Sequence, residues 1–372
     1  MGVTLLTPLR RGLSWMLYAL ALAIAFEGAS RLAFSSDEFL RRVSASDDPS
    51  WRLRWIARQG ATGRLPYEID EWHATRGWAL KPSLRDVRVT GGKILNSNSR
   101  GVRGRTEHAD RKAARTTRIL VLGDSFTFGE DVGDEDTYSA QLERLMPGTE
   151  VINLGVHGYG HDQMLVYLRE EGIRYHPDVV VLGFLTGDME RNVLSFRDYA
   201  KPRFVLDGGT LSLRGSPVPS PAEMASAERW RSKCGDLLAM LWLRYRWKSG
   251  AISEETRALT LAILDEMKAT IEAAGARPAF AYLPAYGEID RTDPGMTGPE
   301  RFFFSYCRQR GIQSMYLRPY FLRRIKEGAV LKTTGHWGPL EHRIAADGIR
   351  AYLVDKGLVS GDQAESDVER RP

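Results

Sequence analysis

A serine placed just after a short apolar run, and a histidine close to the far end of the chain, are the two residues whose types suit acyl transfer. The run is Ile119-Leu-Val-Leu122, and Gly123, Asp124 and Ser125 follow it. A hydroxyl becomes a nucleophile when a neighbouring base takes its proton, and that base later protonates the leaving group. Four branched apolar residues are too few for a helix and read as a strand covered on both faces. Gly123 then permits a sharp turn. Backbone N–H groups at the start of the next helix are donors for an oxyanion that develops beside Ser125. Gly-Asp-Ser is also ordinary turn punctuation, so its weight depends on what stands further along.

The elements that must position Ser125 keep one rhythm. After the first strand the pattern predicts a helix around Thr137 to Leu145, a strand at Glu150 to Leu154, a glycine loop at 155 to 160, a helix through about Glu171, and a strand from Pro177 to Phe184. Residues 195 to 250 interrupt it with a hairpin signal at Asp207-Gly-Gly-Thr210, a proline-rich linker from Ser216 to Pro221, and a helical stretch from Ala222 to Lys248. The rhythm resumes with a helix near Ser253 to Ala274, a strand at Ala279 to Leu283, a helix near Pro299 to Arg310, a strand around Gln313 to Leu317 and a last helix from Leu340 to Lys356. Strands alternating with helices argue a parallel sheet with helices on both faces, and ligands then bind at the carboxyl ends of the strands.

The chain is therefore divided into an apolar segment (1–34), an arginine-rich, extended lead-in (35–115), an α/β domain (116–357) with an insertion at about 195–250, and a polar tail (358–372). In the first segment Arg10 and Arg11 precede a charge-free run from Gly12 to Phe26, with Glu27 and Arg31 beyond it. It reads as an uncleaved signal anchor with Trp15 and Tyr18 at the interface. A signal peptide cleaved near Ala23-x-Ala25 is the alternative. Both readings place the rest of the chain outside the cytoplasm, in contact with the membrane only through residues 12–34.

Bulk composition narrows the remaining classes. With 372 residues and 43% hydrophobic content the chain can bury a large core. Its net charge of +5 is spread as arginine, with concentrations at Arg52 to Arg58 and Arg103 to Arg118 that read as solvated surface. No aromatic-interleaved motif accompanies them, so no nucleic-acid partner is expected. Cys234 and Cys307 are far apart and lack metal-ligand spacing, which predicts two thiols and no metal site. The glycine loop lacks a phosphate-binding spacing, and no cofactor is expected. His157 and His161 beside that loop read as surface hydrogen-bonding residues, and His342 as a structural one.

Four blocks now stand in order: Gly123-Asp-Ser125, Asn153-Leu-Gly-Val-His-Gly158, Gly183-Phe-Leu-Thr-Gly-Asp188, and His336-Trp-Gly-Pro-Leu-Glu-His342. In that order and context they resemble the SGNH (GDSL-type) hydrolase family, most closely its membrane-tethered bacterial members, over roughly residues 70 to 355. The resemblance implies a flavodoxin-like three-layer α/β/α domain with a parallel central sheet, acting as a serine esterase or acyl hydrolase. It makes Ser125 the nucleophile, His336 the base, and the N–H groups of Ser125 and Gly158 the oxyanion hole, without cofactor or metal. The implied substrate is a small-molecule or glycan ester, or a lipid or envelope polymer carrying an acyl or acetyl group. This chain has Gly187 where the family carries asparagine, and Thr334 where close relatives carry aspartate two residues before the histidine. Support for the Ser–His pair is then expected from Asp124, which fixes the turn, and from Asp188, Asp162, Thr333 or Thr334. Asn192 or His161 would supply a donor. The departures keep two further readings open: a catalytically silent SGNH-like module that binds or assembles envelope polysaccharide, and an acyltransferase using the same pair.

Overall fold

The structure is a computed structural model that describes residues 6–59, 64–89, 92–289, 295–332 and 334–359. Thr333 and most of the expected polar tail lie outside the described residues.

Five strands form the central sheet: β1 (Thr117–Gly123), β2 (Thr149–Gly155), β3 (Val179–Phe184), β4 (Arg277–Tyr282) and β5 (Gln313–Tyr316). They lie in the order β5-β4-β3-β1-β2, and every neighbouring pair is parallel. This is the flavodoxin-like doubly wound order. The alternation read from the sequence predicts it, because strands buried on both faces appear as continuous apolar runs. All of β3, and all of β1 after Thr117, is buried. Ile119 and Val121 join a core with Tyr138 and Leu142 of the helix Tyr138–Leu145 and with Ile344 and Ile349 of the last helix, Pro339–Asp355. Leu120 and Leu154 meet Leu168 of the helix His161–Glu170 around Gly172.

The chain leaves β1 to one side to form β2 and returns to the other side to form β3, so the crevice opens at the carboxyl ends of β1 and β3. Ser125 opens the short helix Ser125–Phe128 there. Glycines let this helix sit close on the sheet. A Cβ on Gly155, the last residue of β2, would lie 2.3 Å from the Phe128 backbone nitrogen. On Gly123 it would lie 1.9 Å, and on Gly183 2.6 Å, from Thr127 Oγ1.

By contacts the chain separates into two compact units. One comprises residues 67–195, 201–218 and 254–372 and holds the sheet. The other comprises residues 1–66, 196–200 and 219–253. Its first helix, Leu6–Phe34, includes a 24-residue apolar stretch, Arg11–Phe34, with mean hydropathy 1.4, exposed from Arg11 to Phe26. Glu27 within that stretch accepts hydrogen bonds from the N–H groups of Lys233 and Cys234, each at 3.0 Å, at the start of the helix Lys233–Lys248.

The stretch after residue 35, expected as an extended lead-in, is helical at Asp37–Val43 and Asp48–Gln59. Its arginines are not all solvated either. Arg52 is buried in ion pairs with Glu228 and Asp236, so its charge holds this unit together. The single helical stretch expected from Ala222 to Lys248 is two helices, Pro221–Glu228 and Lys233–Lys248, because Ser232 caps the second by accepting the Gly235 N–H. Both cysteines are free thiols, Cys307 buried and Cys234 half-buried.

Gly155→Ala is expected to lower stability by about 1–3 kcal/mol or more, because the added methyl meets backbone that cannot move aside. Gly187→Ala, whose added Cβ meets only Leu185 Cδ2 at 3.9 Å, is expected to stay within about 0.5 kcal/mol of the parent. Denaturant midpoints of the two variants check this, and equal midpoints would contradict it.

Candidate active site

The strongest contact in the crevice joins residues far apart in the chain. His336 Nε2 lies 2.9 Å from Ser125 Oγ, within hydrogen-bond reach. The imidazole packs on Phe126, ring centroids 5.2 Å apart, and the next residue, Trp337, is fully buried against Phe126 and Phe321. This packing aims the loop before the last helix at Ser125.

Asp124 shapes the other side. Its Oδ1 accepts the Phe126 N–H at 3.0 Å, which caps the short helix, and its Oδ2 takes Arg191 at 3.1 Å and lies 3.3 Å from Ser125 Oγ. Arg191 also donates to the Tyr159 carbonyl at 2.8 Å and pairs with Asp188 at 2.5 Å. One guanidinium thereby binds the turns after β1, β2 and β3. Asn153 on β2 donates to the Thr127 carbonyl at 2.9 Å and fastens the short helix from below.

The backbone N–H groups of Ser125 and Gly158 make no backbone hydrogen bond among the described residues. Gly158 has φ +76°, a conformation that favours glycine. Gly187 lies in the helical region, with open space where a side chain would project.

The structure separates several residues that the sequence placed near this pair. Asp188 is held by Arg191, and Asp162 is buried in an ion pair with Lys201. Neither reaches His336. Thr334 is exposed and accepts nothing from the imidazole, so His336 Nδ1 has no hydrogen-bond partner among the described residues. Asn192 accepts the Asp162 N–H and donates to Thr260, and so serves the helix His161–Glu170. His157 and His161, read as surface residues, are buried. His157 Nε2 lies 2.8 Å from Asp70 Oδ2, while His161 stacks on Phe184.

Asp131 is the residue here that sequence reasoning passed over. Its Oδ2 accepts the His336 backbone N–H at 3.4 Å, and it pairs with Lys332, whose ammonium also donates to the His336 carbonyl at 2.9 Å. In the sequence it is one of five acids between Glu130 and Asp136, and nothing local distinguishes it.

The chain has a flavodoxin-like α/β fold with a parallel five-stranded sheet. No family model and no curated protein matches the sequence. Among solved structures it is similar to TesA (13% identity, 65% of this chain and 100% of that one, TM-score 0.38). It is also similar to a lipolytic protein of the G-D-S-L family from Desulfitobacterium hafniense (15%, 64% and 100%, TM-score 0.37). A third is the acetyl xylan esterase AlAXEase (15%, 63% and 99%, TM-score 0.38). At such scores the likeness carries no argument, and the architecture rests on the strand order, which is that of a flavodoxin-like doubly wound sheet.

Two buried histidines near this site are held neutral. His342 Nδ1 accepts the Tyr138 N–H at 3.1 Å, so its proton is on Nε2. Burial pushes both His342 and His161 down to about 3. An unfolded histidine takes a proton near 6.5, whereas these two resist it until about 3, so the unfolded chain binds more protons across that window. Stability is therefore expected to fall as pH is lowered from about 6.5 toward 3, read as a falling denaturant midpoint. His342→Asn, which keeps an acceptor for Tyr138, should remove part of that slope, and an unchanged slope would count against this account.

Proposed function

We propose that this protein is a membrane-anchored serine hydrolase of the SGNH type that cleaves an ester-linked acyl group. The observation that carries the reading is the 2.9 Å approach of His336 Nε2 to Ser125 Oγ at the carboxyl end of β1. Ser125 Oγ attacks the acyl carbon while Nε2 takes its proton. The oxyanion is met by the N–H groups of Ser125 and Gly158, donors left unused by the backbone. Collapse expels the alcohol, which takes the proton from Nε2, and water then releases the acyl group by the same path in reverse. Asp124 and Arg191 hold the nucleophile's turn.

The helix Leu6–Phe34 supports an anchored protein, and Arg10 and Arg11 before its apolar run support a catalytic unit outside the cytoplasm. An enzyme held there meets lipids, glycans and envelope polymers, and an acyl, including acetyl, ester on one of these is the substrate class we infer. Two observations favour a second reading, a silent binding module for envelope polysaccharide: the missing side chain at Gly187 and the Nδ1 of His336, which has no hydrogen-bond partner among the described residues. Acyl transfer to a glycan would use the same residues, with a sugar hydroxyl in place of water.

A fluorophosphonate probe applied to the full chain in detergent is expected to label Ser125, and Ser125→Ala and His336→Ala are each expected to abolish labelling and short-chain ester hydrolysis. Unchanged turnover in Ser125→Ala would overturn the assignment. Gly187→Asn is expected to raise kcat about tenfold or more, since one oxyanion donor is worth about 10²–10³ in rate. An unchanged kcat in a folded Gly187→Asn variant would mean that the oxyanion lies elsewhere.

A further inference from the structure

We infer that Asp131 is the positioning acid for His336, in place of the carboxylate that position 334 lacks. This rests on the hydrolase reading above and adds a residue to it. When Ser125 gives up its proton, His336 becomes a cation that needs a nearby negative charge and a fixed ring. The other carboxylates of the crevice are committed, Asp124 and Asp188 to Arg191 and Asp162 to Lys201.

Glu341 accepts the N–H groups at the two ends of the histidine's loop, Lys332 and Gly338, and Asp131 is the carboxylate that meets His336 itself. Its Oδ2 accepts the His336 N–H at 3.4 Å. A Cβ on Gly335 would lie 3.5 Å from that same oxygen and 3.7 Å from Lys332 Nζ. The carboxylate and the ammonium thus bracket the Gly335–His336 peptide, and Lys332 closes the bracket on the His336 carbonyl. Burial opposes ionisation of Asp131, yet the hydrogen bond and charge of Lys332, with His336 beside it, hold its carboxyl below the usual range. The acid is therefore charged when the base needs it. It lies six residues after Ser125, so one segment carries both the nucleophile and the support of its base.

Asp131→Asn keeps the shape and an acceptor for the His336 N–H and removes only the charge. In the full-length protein it is expected to slow fluorophosphonate labelling and lower kcat for a short-chain ester by about tenfold or more, short of the 10⁴ lost with a directly bonded acid. KM is expected to stay within about twofold, as for a group that acts only in the transition state. Adding Thr334→Asp to Asp131→Asn returns a carboxylate to the imidazole's loop and is expected to restore most of the rate. Equal labelling of Asp131→Asn and wild type would overturn this inference alone, as would a double variant no faster than the single one. A wild type that does not label at all would overturn the hydrolase reading and this inference with it.

Discussion

The site depends on how closely the four-residue helix Ser125–Phe128 is pressed onto the ends of β1, β2 and β3. Thr127 fills the space that side chains on Gly123 and Gly183 would need, and the backbone of Thr127 and Phe128 fills that of Gly155. With three strand ends stripped to glycine, the helix cannot shift without opening a gap. Thr127 Oγ1 meets the Tyr138 hydroxyl at 2.8 Å, and the Tyr138 backbone N–H meets His342 in the last helix. The seat of Ser125 and the last helix, which follows His336, are therefore joined by a short run of contacts. Phe126, from the same helix, is the surface on which the His336 ring rests.

Above that seat, polarity is organised around cations. A carboxylate buried beside a serine would ordinarily be costly, and Asp124 is tolerated because it caps Phe126 and pairs with Arg191. Arg191 has Asp188 and the Tyr159 carbonyl as further partners, so the three loops behave as one hydrogen-bonded body. This arrangement explains why Asp188, so near in the block order, is not available to the histidine. Electrostatic commitment to Arg191 decides the matter.

How much of this could be read from the sequence follows from the kind of signal each feature leaves. The five strands were legible because a strand covered on both faces is an unbroken apolar run, as Ile119 to Leu122 and Val179 to Leu182 are. The pairing of Ser125 with His336 was legible only through the order of the blocks, since 211 residues separate them. Buried polar pairs left no periodic trace. Arg52 with Glu228 and Asp236, Asp162 with Lys201, and His157 with Asp70 each join distant segments whose local composition looks solvated. The helices after residue 35 were missed for the same reason, their inward face being partly made of charge.

Glu27 shows the same rule in the first helix. A carboxylate in an apolar segment is expensive unless it is paired. Here it receives the first N–H groups of the helix Lys233–Lys248, the Ser232 hydroxyl at 2.8 Å and Arg31 at 2.8 Å. Those N–H groups have no intrahelical partner, so the acid satisfies donors that are otherwise orphaned and sits at the positive end of the helix. Seven residues further along both helices, Met240 lies in a buried cluster against which Phe34 packs. The two helices thus run side by side from Glu27 onward, which makes the last two turns of the apolar helix part of a folded unit. The charge-free run before Glu27, by contrast, stays exposed along its length.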